Sequence, residues 1–388
     1  MRVKLKDIFD LQMGKTPSRS NLEYWNTTDY KWISIADLSK TSKYIFETKE
    51  YLSKSAIKDS GIKAIPASTV VMSFKLSIGK TAITKEDMYS NEAIMAFKDK
   101  HVINILPEYI FYLFKYKNWE EGSNKAVMGK TLNKATLSEI EVEICSIEKQ
   151  RQIVSILNKI MSVVDGRKQE LQLLDALIKA RFVELFGDAI HNDKGWENDT
   201  VEKLCKEIYG GGTPSKSHPE YYEDGDIPWV SSKDMKTDVL TDSQIKINQL
   251  GVDNSTARMV PINSVIMVIR SGILKHTLPV AINAVPITVN QDLKVFIPNE
   301  RVLTRFLAIQ FKMHEKDILS GVRAVTADNI EFNSLKHREL IVPPIELQQE
   351  YVIFLEQIDK SKFDTMTFAP IYAIINLYLH TYFYQGRR

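Results

Sequence analysis

The chain has few of the residue patterns that enzymes use for catalysis. A methyltransferase that acts on an amino group needs an (Asn/Asp)-Pro-Pro-(Tyr/Phe) loop to hold the target amine. The one Pro-Pro pair, Pro343-Pro344, is flanked by Val342 and Ile345, which supply neither the polar nor the aromatic partner. We therefore expect that this chain does not catalyse amino-group methylation.

Phosphate-binding and metal-binding spacings are missing as well. Gly-Lys-Thr occurs at residues 14–16, 79–81 and 129–131, but a P-loop also needs a glycine five residues before the Gly-Lys pair. The seven histidines form no H-x-x-x-H pair, and Cys145 and Cys205 form no C-x-x-C pair. The sequence predicts a non-catalytic chain without a metal or a cofactor of its own, and two isolated cysteines are typical of a reducing cytosol.

Bulk charge does not identify a partner. The chain has 51 basic and 49 acidic residues, a net charge of +2. Residues 1–147 have 22 basic and 18 acidic residues, net +4, and residues 191–345 have 18 and 20, net −2. An expectation of nucleic-acid binding needs local basic patches rather than overall charge. The charged N-terminus does not resemble a signal peptide, and no run approaches the ~18 apolar residues of a membrane span.

The sequence repeats itself. Residues 14–37, GKTPSRSNLEYWNTTDYKWISIAD, align without a gap to residues 211–234, GGTPSKSHPEYYEDGDIPWVSSKD. The identical pairs are Gly14/Gly211, Thr16/Thr213, Pro17/Pro214, Ser18/Ser215, Ser20/Ser217, Glu23/Glu220, Tyr24/Tyr221, Asp29/Asp226, Trp32/Trp229, Ser34/Ser231 and Asp37/Asp234. So many identities at a constant offset indicate an internal duplication.

The register continues through two units of almost 200 residues. Pro66-Ala-Ser-Thr-Val-Val-Met matches Pro261-Ile-Asn-Ser-Val-Ile-Met, and Ile147-Glu-Lys-Gln matches Ile345-Glu-Leu-Gln. In each unit, short β-favouring runs between turn residues surround one helical stretch, predicted at 107–119 and 302–316. We therefore expect two α+β globular domains, head 1 (residues 1–147) and head 2 (residues 191–345).

A long helix is predicted between the heads, in a spacer of residues 148–190. From about Lys149 to Phe186, apolar residues recur three and four apart with Arg167 and Arg181 as polar members, giving a helix about 57 Å long. The apolar seam comprises Ile153, Leu157, Ile160, Val164, Leu171, Leu174, Ile178 and Leu185. Such a narrow seam favours a partner helix, and the alternative is an ordinary amphipathic helix that covers a core.

A second helical segment, residues 346–388, starts with Val352, Leu355 and Ile358 at similar spacing. Pro370 then interrupts the pattern, and proline inside a helix costs ~3 kcal/mol. We expect this second spacer to be broken near Pro370, as a shortened helix, a kink or a separate terminal helix.

Two similar heads joined by a long helix suit a target in two parts. Dimeric DNA readers place half-sites one helical turn of DNA, ~34 Å, or a multiple of it, apart. A duplicated chain supplies the same pseudo-two-fold within one polypeptide, and a rigid helix sets the distance. This reasoning predicts that the two spacer helices pair antiparallel as a coiled-coil-like stalk.

The arrangement resembles the specificity subunits of type I restriction–modification enzymes over essentially the whole chain. The resemblance rests on Gly-x-Thr-Pro-Ser followed by Glu-Tyr-(Trp/Tyr), Trp-(Ile/Val)-Ser-x-x-Asp-(Leu/Met), Pro-x-x-(Thr/Ser)-Val-(Val/Ile)-Met and the Ile-Glu-x-Gln start of each helix. It implies that each head is a target-recognition domain for one half of a split site in double-stranded DNA. The divergent second spacer departs from the family pattern.

The resemblance also implies partners and a cellular location. Two modification subunits would dock on the helices, bind S-adenosylmethionine and methylate adenine at N6, and restriction subunits would add translocation and cleavage. Such an assembly belongs in the cytoplasm of a bacterium or archaeon. The alternatives are a stand-alone DNA-binding regulator and a coiled-coil scaffold whose heads hold proteins.

Residues that could touch DNA are lysines, arginines and small hydroxyls on loops, because these groups contact phosphates and base edges. The candidates in head 1 are Lys15, Thr16, Ser18, Arg19, Lys31, Lys75, Lys80, Lys125, Lys130 and Lys134. Those in head 2 are Lys216, Ser232, Lys233, Arg270, Ser271, Lys275 and Arg323. Lys75 and Arg270 rank first, because each follows the corresponding predicted strand.

Residues that both heads share are poor candidates for base specificity, because two heads that read different bases need different contacts. We therefore expect Trp32 and Trp229 to belong to the common scaffold. The divergent stretches, residues 39–60 and 236–258, are better candidates for reading bases.

Overall fold

The computed structural model describes residues 1–75, 77–119, 132–324 and 328–366. These residues form two compact units, one within residues 1–168 and one of residues 169–366. The first unit contains head 1 and the beginning of the long helix, and the second contains the end of that helix, head 2 and the start of the second spacer. Neither Pro370 nor the candidates Lys125 and Lys130 fall within the described residues.

Head 1 is built from short strands and helices, as its alternation of β-favouring runs and turns predicts. Its strands are β1 (Arg2–Lys4), β2 (Phe9–Met13), β3 (Tyr30–Ile33), β4 (Tyr44–Ile45), β5 (Glu50–Leu52), β6 (Val70–Ser73), β7 (Thr81–Thr84), β8 (Tyr89–Ser90), β9 (Ile94–Asp99) and β10 (Glu141–Glu143). Its helices are α1 (Leu5–Ile8), α2 (Ile35–Lys40), α3 (Lys54–Ser60), α4 (Pro107–Tyr116) and α5 (Lys134–Ser138), with a 3-10 turn at Leu22–Tyr24.

Head 2 has the same elements in the same order, with a few changes. Its strands are β11 (Asn198–Thr200), β12 (Cys205–Gly210), β13 (Ile227–Val230), β14 (Val239–Leu240), β15 (Lys246–Ile247), β16 (Val265–Val268), β17 (Val280–Asn283), β18 (Thr288–Val289), β19 (Leu293–Pro298), β20 (Arg323–Ala324), β21 (Asp328–Asn329) and β22 (Glu339–Ile341). The helices of the second unit are α7 (Val201–Leu204), α8 (Gln249–Asp253), α9 (Thr304–Met313), α10 (Glu315–Ser320), α11 (Phe332–Lys336) and α12 (Ile345–Met366). Between the heads runs α6 (Ile147–Phe186).

The sheets demonstrate the duplication independently of the sequence. Head 1 has a five-stranded sheet of order β2-β9-β6-β7-β4, and head 2 has β12-β19-β16-β17-β14. The three-stranded sheets, β5-β3-β8 and β15-β13-β18, and the two-stranded pairs, β1-β10 and β11-β22, correspond in the same way. The β20–β21 hairpin has no counterpart among the described residues of head 1. The predicted α+β architecture with two similar domains is confirmed.

A close backbone approach explains one of the shared glycines. A Cβ atom at Gly14 would collide with the carbonyl oxygen of Asn91, and one at Gly211 would collide with that of Val289. Because both obstacles are backbone atoms, neither position can accommodate a side chain without moving a neighbouring strand. The glycine that opens each repeat motif is therefore required by packing.

Each head packs its large sheet against a buried helix. In head 1, α4 contributes Phe111 and Phe114 to a core with Phe97 on β9. In head 2, α9 contributes Phe306 and Phe311. The predicted helix of head 2 is divided, because the backbone turns at His314 between α9 and α10.

The long helix forms as predicted and begins two residues earlier, at Ile147. Along its apolar seam, Ile153 and Leu157 are buried in the core of head 1, whereas Ile178 and Leu185 pack against the core of the second unit. The intervening seam members are buried (Val164) or half-buried (Ile160, Leu171 and Leu174).

In the second unit the end of α6 pairs antiparallel with α12. Lys362 contacts Asp175 at 2.5 Å, and Arg181 contacts Glu350 at 2.7 Å. The residue number on α12 falls from 362 to 350 while the residue number on α6 rises from 175 to 181, so the two helices run in opposite directions. This confirms the antiparallel pairing for the described part of the second spacer.

Candidate nucleic-acid interface

The Gly-x-Thr-Pro-Ser loop is fastened to each head by a tryptophan. The indole N–H of Trp32 donates to the carbonyl of Lys15 at 3.1 Å, and that of Trp229 donates to the carbonyl of Gly212 at 3.0 Å. Both indoles are buried. Trp32 and Trp229 therefore serve the scaffold that the heads share, as the duplication predicts.

The small hydroxyls of this loop already have partners within the protein. Thr16 donates to Glu92, and Thr213 donates to the side-chain oxygen of Gln291. The bond from Thr16 lowers the pKa of the Glu92 carboxyl, so the acceptor stays ionised. The Ser18 hydroxyl shares a hydrogen bond with that of Ser20 at 2.8 Å, and the same pair recurs in head 2.

Arg19 lies on an aromatic surface instead of projecting freely into solvent. Its guanidinium carbon is 3.7 Å from the Trp25 ring centroid and 4.9 Å from that of Trp32. Two of its nitrogens bond the Glu50 carboxylate, one of them at 3.1 Å. The arginine charge is thus balanced by a carboxylate and by two aromatic faces.

A shared aspartate connects the scaffold to each divergent stretch. Asp37 accepts from the Ser34 backbone N–H at 2.8 Å and from the Lys49 N–H at 3.1 Å. In head 2, Asp234 accepts from the Ser231 N–H at 2.8 Å and from the Gln244 N–H at 2.9 Å. Each aspartate therefore uses one oxygen to hold the common motif and the other to hold a residue of stretch 39–60 or 236–258.

Lys75 and Arg270 occupy corresponding positions, as predicted, because each follows the central strand of its large sheet, β6 or β16. Their surroundings differ. Arg270 pairs with Asp292 through two nitrogens at 2.6 Å, whereas the Lys75 ammonium lies 5.4 Å from the ring of Phe74. Ser271, next to Arg270, caps a 3-10 turn at Gly272–Lys275.

Several other predicted candidates are engaged within their own head. Lys31 contacts Glu86 and the carbonyl of Phe46, and Lys275 is 3.7 Å from Asp328. Lys15 donates to the carbonyl of Ser60 and Lys80 to the hydroxyl of Ser39. The carboxylates lower the positive potential of Lys31 and Lys275, and a phosphate would compete with the carbonyl and the hydroxyl for the ammonium groups of Lys15 and Lys80.

Three candidates remain exposed without a side-chain hydrogen bond or ion pair to any residue in the described ranges: Lys134, Lys216 and Lys233. Lys134 begins α5, and Lys216 stands where head 1 has Arg19. Ser232 is half-buried beside Lys233. The side chain of Arg323 lies outside the described part of the chain.

Sequence reasoning missed a lysine pair on α3. Lys54 and Lys58 are exposed, and no hydrogen bond or ion pair within the described residues engages either ammonium. Two like charges four residues apart on a helix repel each other. The spacing itself, within the divergent stretch 39–60, was the signal that could have identified the pair.

The matching helix of head 2 lacks this charge. The N-cap residues Ser53 of α3 and Asn248 of α8 each donate a backbone N–H to the carbonyl of a shared tyrosine, Tyr24 or Tyr221, at 3.0 Å. The two helices therefore occupy equivalent places. Helix α8 contains no lysine or arginine, and stretch 236–258 has three basic and three acidic residues against five and three in stretch 39–60.

Within the described ranges, no three histidine, cysteine, aspartate or glutamate side chains are grouped so as to hold a metal ion. Nor does any helix there combine the length and the apolar character that crossing a membrane requires.

Comparison with known proteins assigns a family. The type I restriction modification DNA specificity domain matches the chain twice, over residues 1–175 and 193–371. The MjaIX specificity subunit of Methanocaldococcus jannaschii is 26% identical over 372 residues, spanning 90% of this chain and 84% of that subunit. The EcoR124I/EcoR124II specificity subunit of Escherichia coli is 34% identical over 227 residues, 57% of this chain and 53% of that subunit.

Solved structures share the fold. The S subunit of a type I system from M. genitalium superposes with a TM-score of 0.57 at 11% identity, over 99% of this chain and 96% of that one. A chain from a structural study of complex assembly and conformational transition in a type I system gives 0.57 at 15% identity, over 97% and 95%.

Proposed function

Because the chain belongs to the type I restriction–modification DNA specificity family and functions in it as a specificity subunit that recognises DNA, we propose that each head reads one half of a split site. The observation that carries this proposal is the duplicated topology, in which two sheets of identical strand order surround divergent stretches held by the same aspartate. A common scaffold with different attached segments suits two different half-sites.

The proposed domains are head 1, residues 1–147, and head 2, residues 191–345, separated by spacers at 148–190 and 346–388. Helix α6 is continuous over 40 residues, which at 1.5 Å per residue is ~60 Å. Its length sets the gap between the half-sites. Lengthening α6 by one heptad should widen the gap, and an unchanged gap would refute this spacing role.

In each head, direct reading of bases belongs to the divergent stretches, and phosphate contacts belong to exposed basic side chains. In head 1 the phosphate contacts include the exposed Lys54, Lys58 and Lys134 together with the half-buried Lys75. In head 2 they include Lys216 and Lys233. DNA would need to displace internal partners from Lys15, Lys31, Lys80, Arg19, Arg270 and Lys275.

Methylation is supplied by other chains in this proposal. Two modification subunits, which bind S-adenosylmethionine and methylate adenine at N6, dock on the long helices, and restriction subunits complete the endonuclease in the cytoplasm. Leu173 and Leu177 support a docking surface on α6, because they lie one turn apart and are 62% and 46% exposed. An apolar pair of this kind suits the desolvated centre of a protein–protein interface.

The decisive experiment exchanges head 1 for that of another family member and maps methylated sites in cells that also express the modification subunit. The expected result is a motif changed in one half only. Loss of both halves, or a motif that does not change, would refute independent reading. Failure to co-purify a modification subunit would favour a stand-alone regulator or a protein scaffold.

A further inference from the structure

Each long helix starts with a glutamine that is fully buried. Gln150 in the first turns of α6 and Gln348 in those of α12 are both 0% exposed. They are the glutamines of the duplicated Ile-Glu-x-Gln motif. In the sequence this motif indicated only a family resemblance and gave no physical reason for the glutamine. A buried amide must find partners for two donors and an acceptor, because an unmade bond is costly there.

Both glutamines meet that requirement in the same way. Gln150 accepts from the Leu106 N–H at 2.9 Å and donates to the carbonyls of Asn104 and Cys145, each at 3.0 Å. These groups belong to two separate backbone segments. One is the loop that leads into α4, and the other is the exit from β10.

In the second unit, Gln348 accepts from the Leu303 N–H at 3.0 Å. It donates to the carbonyls of Arg301 and Pro343 at 3.0 and 2.8 Å. The two arrangements correspond bond for bond, although most side chains around them differ. An identical network in both copies indicates a requirement that does not depend on which bases each head reads.

We propose that Gln150 and Gln348 are positioning residues that fix the direction in which each long helix leaves its head. Each side chain joins three backbone segments: the strand exit, the loop before the buried helix and the long helix. Hydrogen bonds are directional, whereas apolar packing lets a helix slide or tilt. The network therefore fixes an angle as well as a distance.

A long helix makes that angle important. At ~60 Å, a tilt of roughly 10° at the start of α6 displaces its far end by about 10 Å. One turn of DNA, 10–10.5 base pairs, spans ~34 Å, so this displacement equals about three base pairs. Helix length sets a sharp gap between half-sites only if the helix starts at a fixed angle.

The inference rests on the proposed reading of a split site, and the test separates the two. The full chain, in complex with its modification subunit, is assayed for methylation of DNA with the native gap and with gaps one base pair shorter or longer. The variants are Gln150→Met and Gln348→Met, which keep side-chain length and remove all three bonds. Gln310→Met is the matched control, because Gln310 is also 0% exposed and also bonds backbone, but its two hydrogen bonds go to Ile341 on β22 and not to a long helix.

We measure the ratio of methylation on shifted-gap DNA to methylation on native-gap DNA. This ratio is expected to rise about tenfold in each test variant, because each variant loses three buried hydrogen bonds. Gln310→Met lowers the melting temperature but keeps the wild-type gap preference. If Gln150→Met does not fold, Gln348→Met removes the corresponding network of the other unit and provides the same test.

If the test variants only lose stability and keep the wild-type gap preference, as the control does, the glutamines are structural and the inference is wrong. If the complex of the wild-type chain with its modification subunit methylates no split motif at all, the proposed function fails instead. The two failures are therefore distinguishable.

Discussion

The hydroxyl of Tyr351 on α12 donates a hydrogen bond to the backbone carbonyl of Ile178 on α6 at 2.9 Å. Tyr351 is fully buried, and its ring meets Phe182 and Phe186 edge-on with centroids 5.6 and 5.5 Å apart. Burial raises the pKa of the Tyr351 hydroxyl, so it remains a donor at neutral pH. This contact connects the antiparallel helices with the core of head 2.

Tyr351→Phe should lower the free energy of unfolding by about 1 kcal/mol, the usual net value of one buried hydrogen bond. Tyr351→Ala should cost about 3–5 kcal/mol, because it also removes a packed ring. Urea unfolding measures both. Equal losses in the two variants would contradict the separate contributions of hydroxyl and ring.

Lys54→Ala combined with Lys58→Ala should weaken DNA binding. It should also reduce the slope of the logarithm of the binding constant against the logarithm of the salt concentration by up to about two, one for each lost phosphate contact. The methylated motif should not change, because phosphate contacts carry no sequence information. Binding is measured across a salt series with the assembled complex. Lys6→Ala is the control, since Lys6 already pairs with Glu139, and an equal effect there would show that only total charge matters.

Arg19→Lys keeps the charge but loses the bidentate bond to Glu50 and most of the stacking on Trp25. Arginine and lysine are not equivalent in such a position. We expect a lower melting temperature with an unchanged methylated motif. A change in the head 1 half of the motif would instead identify Arg19 as a base-reading residue.

Leu173→Arg and Leu177→Arg should reduce co-purification of the modification subunit, because a charge replaces an exposed apolar contact. Both positions are exposed, so the melting temperature of the free chain should change little. Ile353→Arg, at a similarly exposed apolar position on α12 (56%), shows whether that helix contributes to docking. Normal co-purification of both leucine variants would place docking elsewhere.

Acid should destabilise head 2 through His314. This residue is buried, and burial followed by the positive charge of Arg338 lowers its pKa to about 4. In the unfolded chain the His314 imidazole takes up a proton near pH 6.5, whereas in the folded chain it does so only near pH 4. The free energy of unfolding is therefore undiminished above pH 6.5 and falls as the pH drops towards 4. The largest loss is about 3 kcal/mol. In His314→Gln, urea unfolding between pH 7 and 4.5 should show a flatter profile, and an unchanged slope would exclude His314 as the cause.

The sequence predicts the fold well where periodicity and duplication carry the information. Helix α6 starts within two residues of its expected start and ends at Phe186 as expected, and Arg270 follows a strand, β16, as predicted. Duplication also identifies Trp32 and Trp229 correctly as scaffold. These features depend on local pattern or on comparison of the two copies.

The site is less predictable, because a side chain's partner often lies far along the chain. Arg19 meets Glu50, 31 residues away, and Lys31 meets Glu86, 55 residues away, and nothing beside Arg19 or Lys31 in the sequence indicates these partners. The role of Gln150 depends on a loop 44 residues earlier. Such pairings exist only once the chain has folded.

The bonds of Asp37 and Asp234 bear on how such a protein can evolve. In both heads one carboxylate oxygen holds the shared motif and the other holds a residue inside the divergent stretch, Lys49 or Gln244. The attachment to the divergent stretch is a backbone N–H, which any residue except proline provides. Mutation and recombination can therefore replace the side chains of the divergent stretch while its point of attachment persists. If these stretches read bases, as proposed above, a lineage can acquire new DNA targets without first acquiring a new fold.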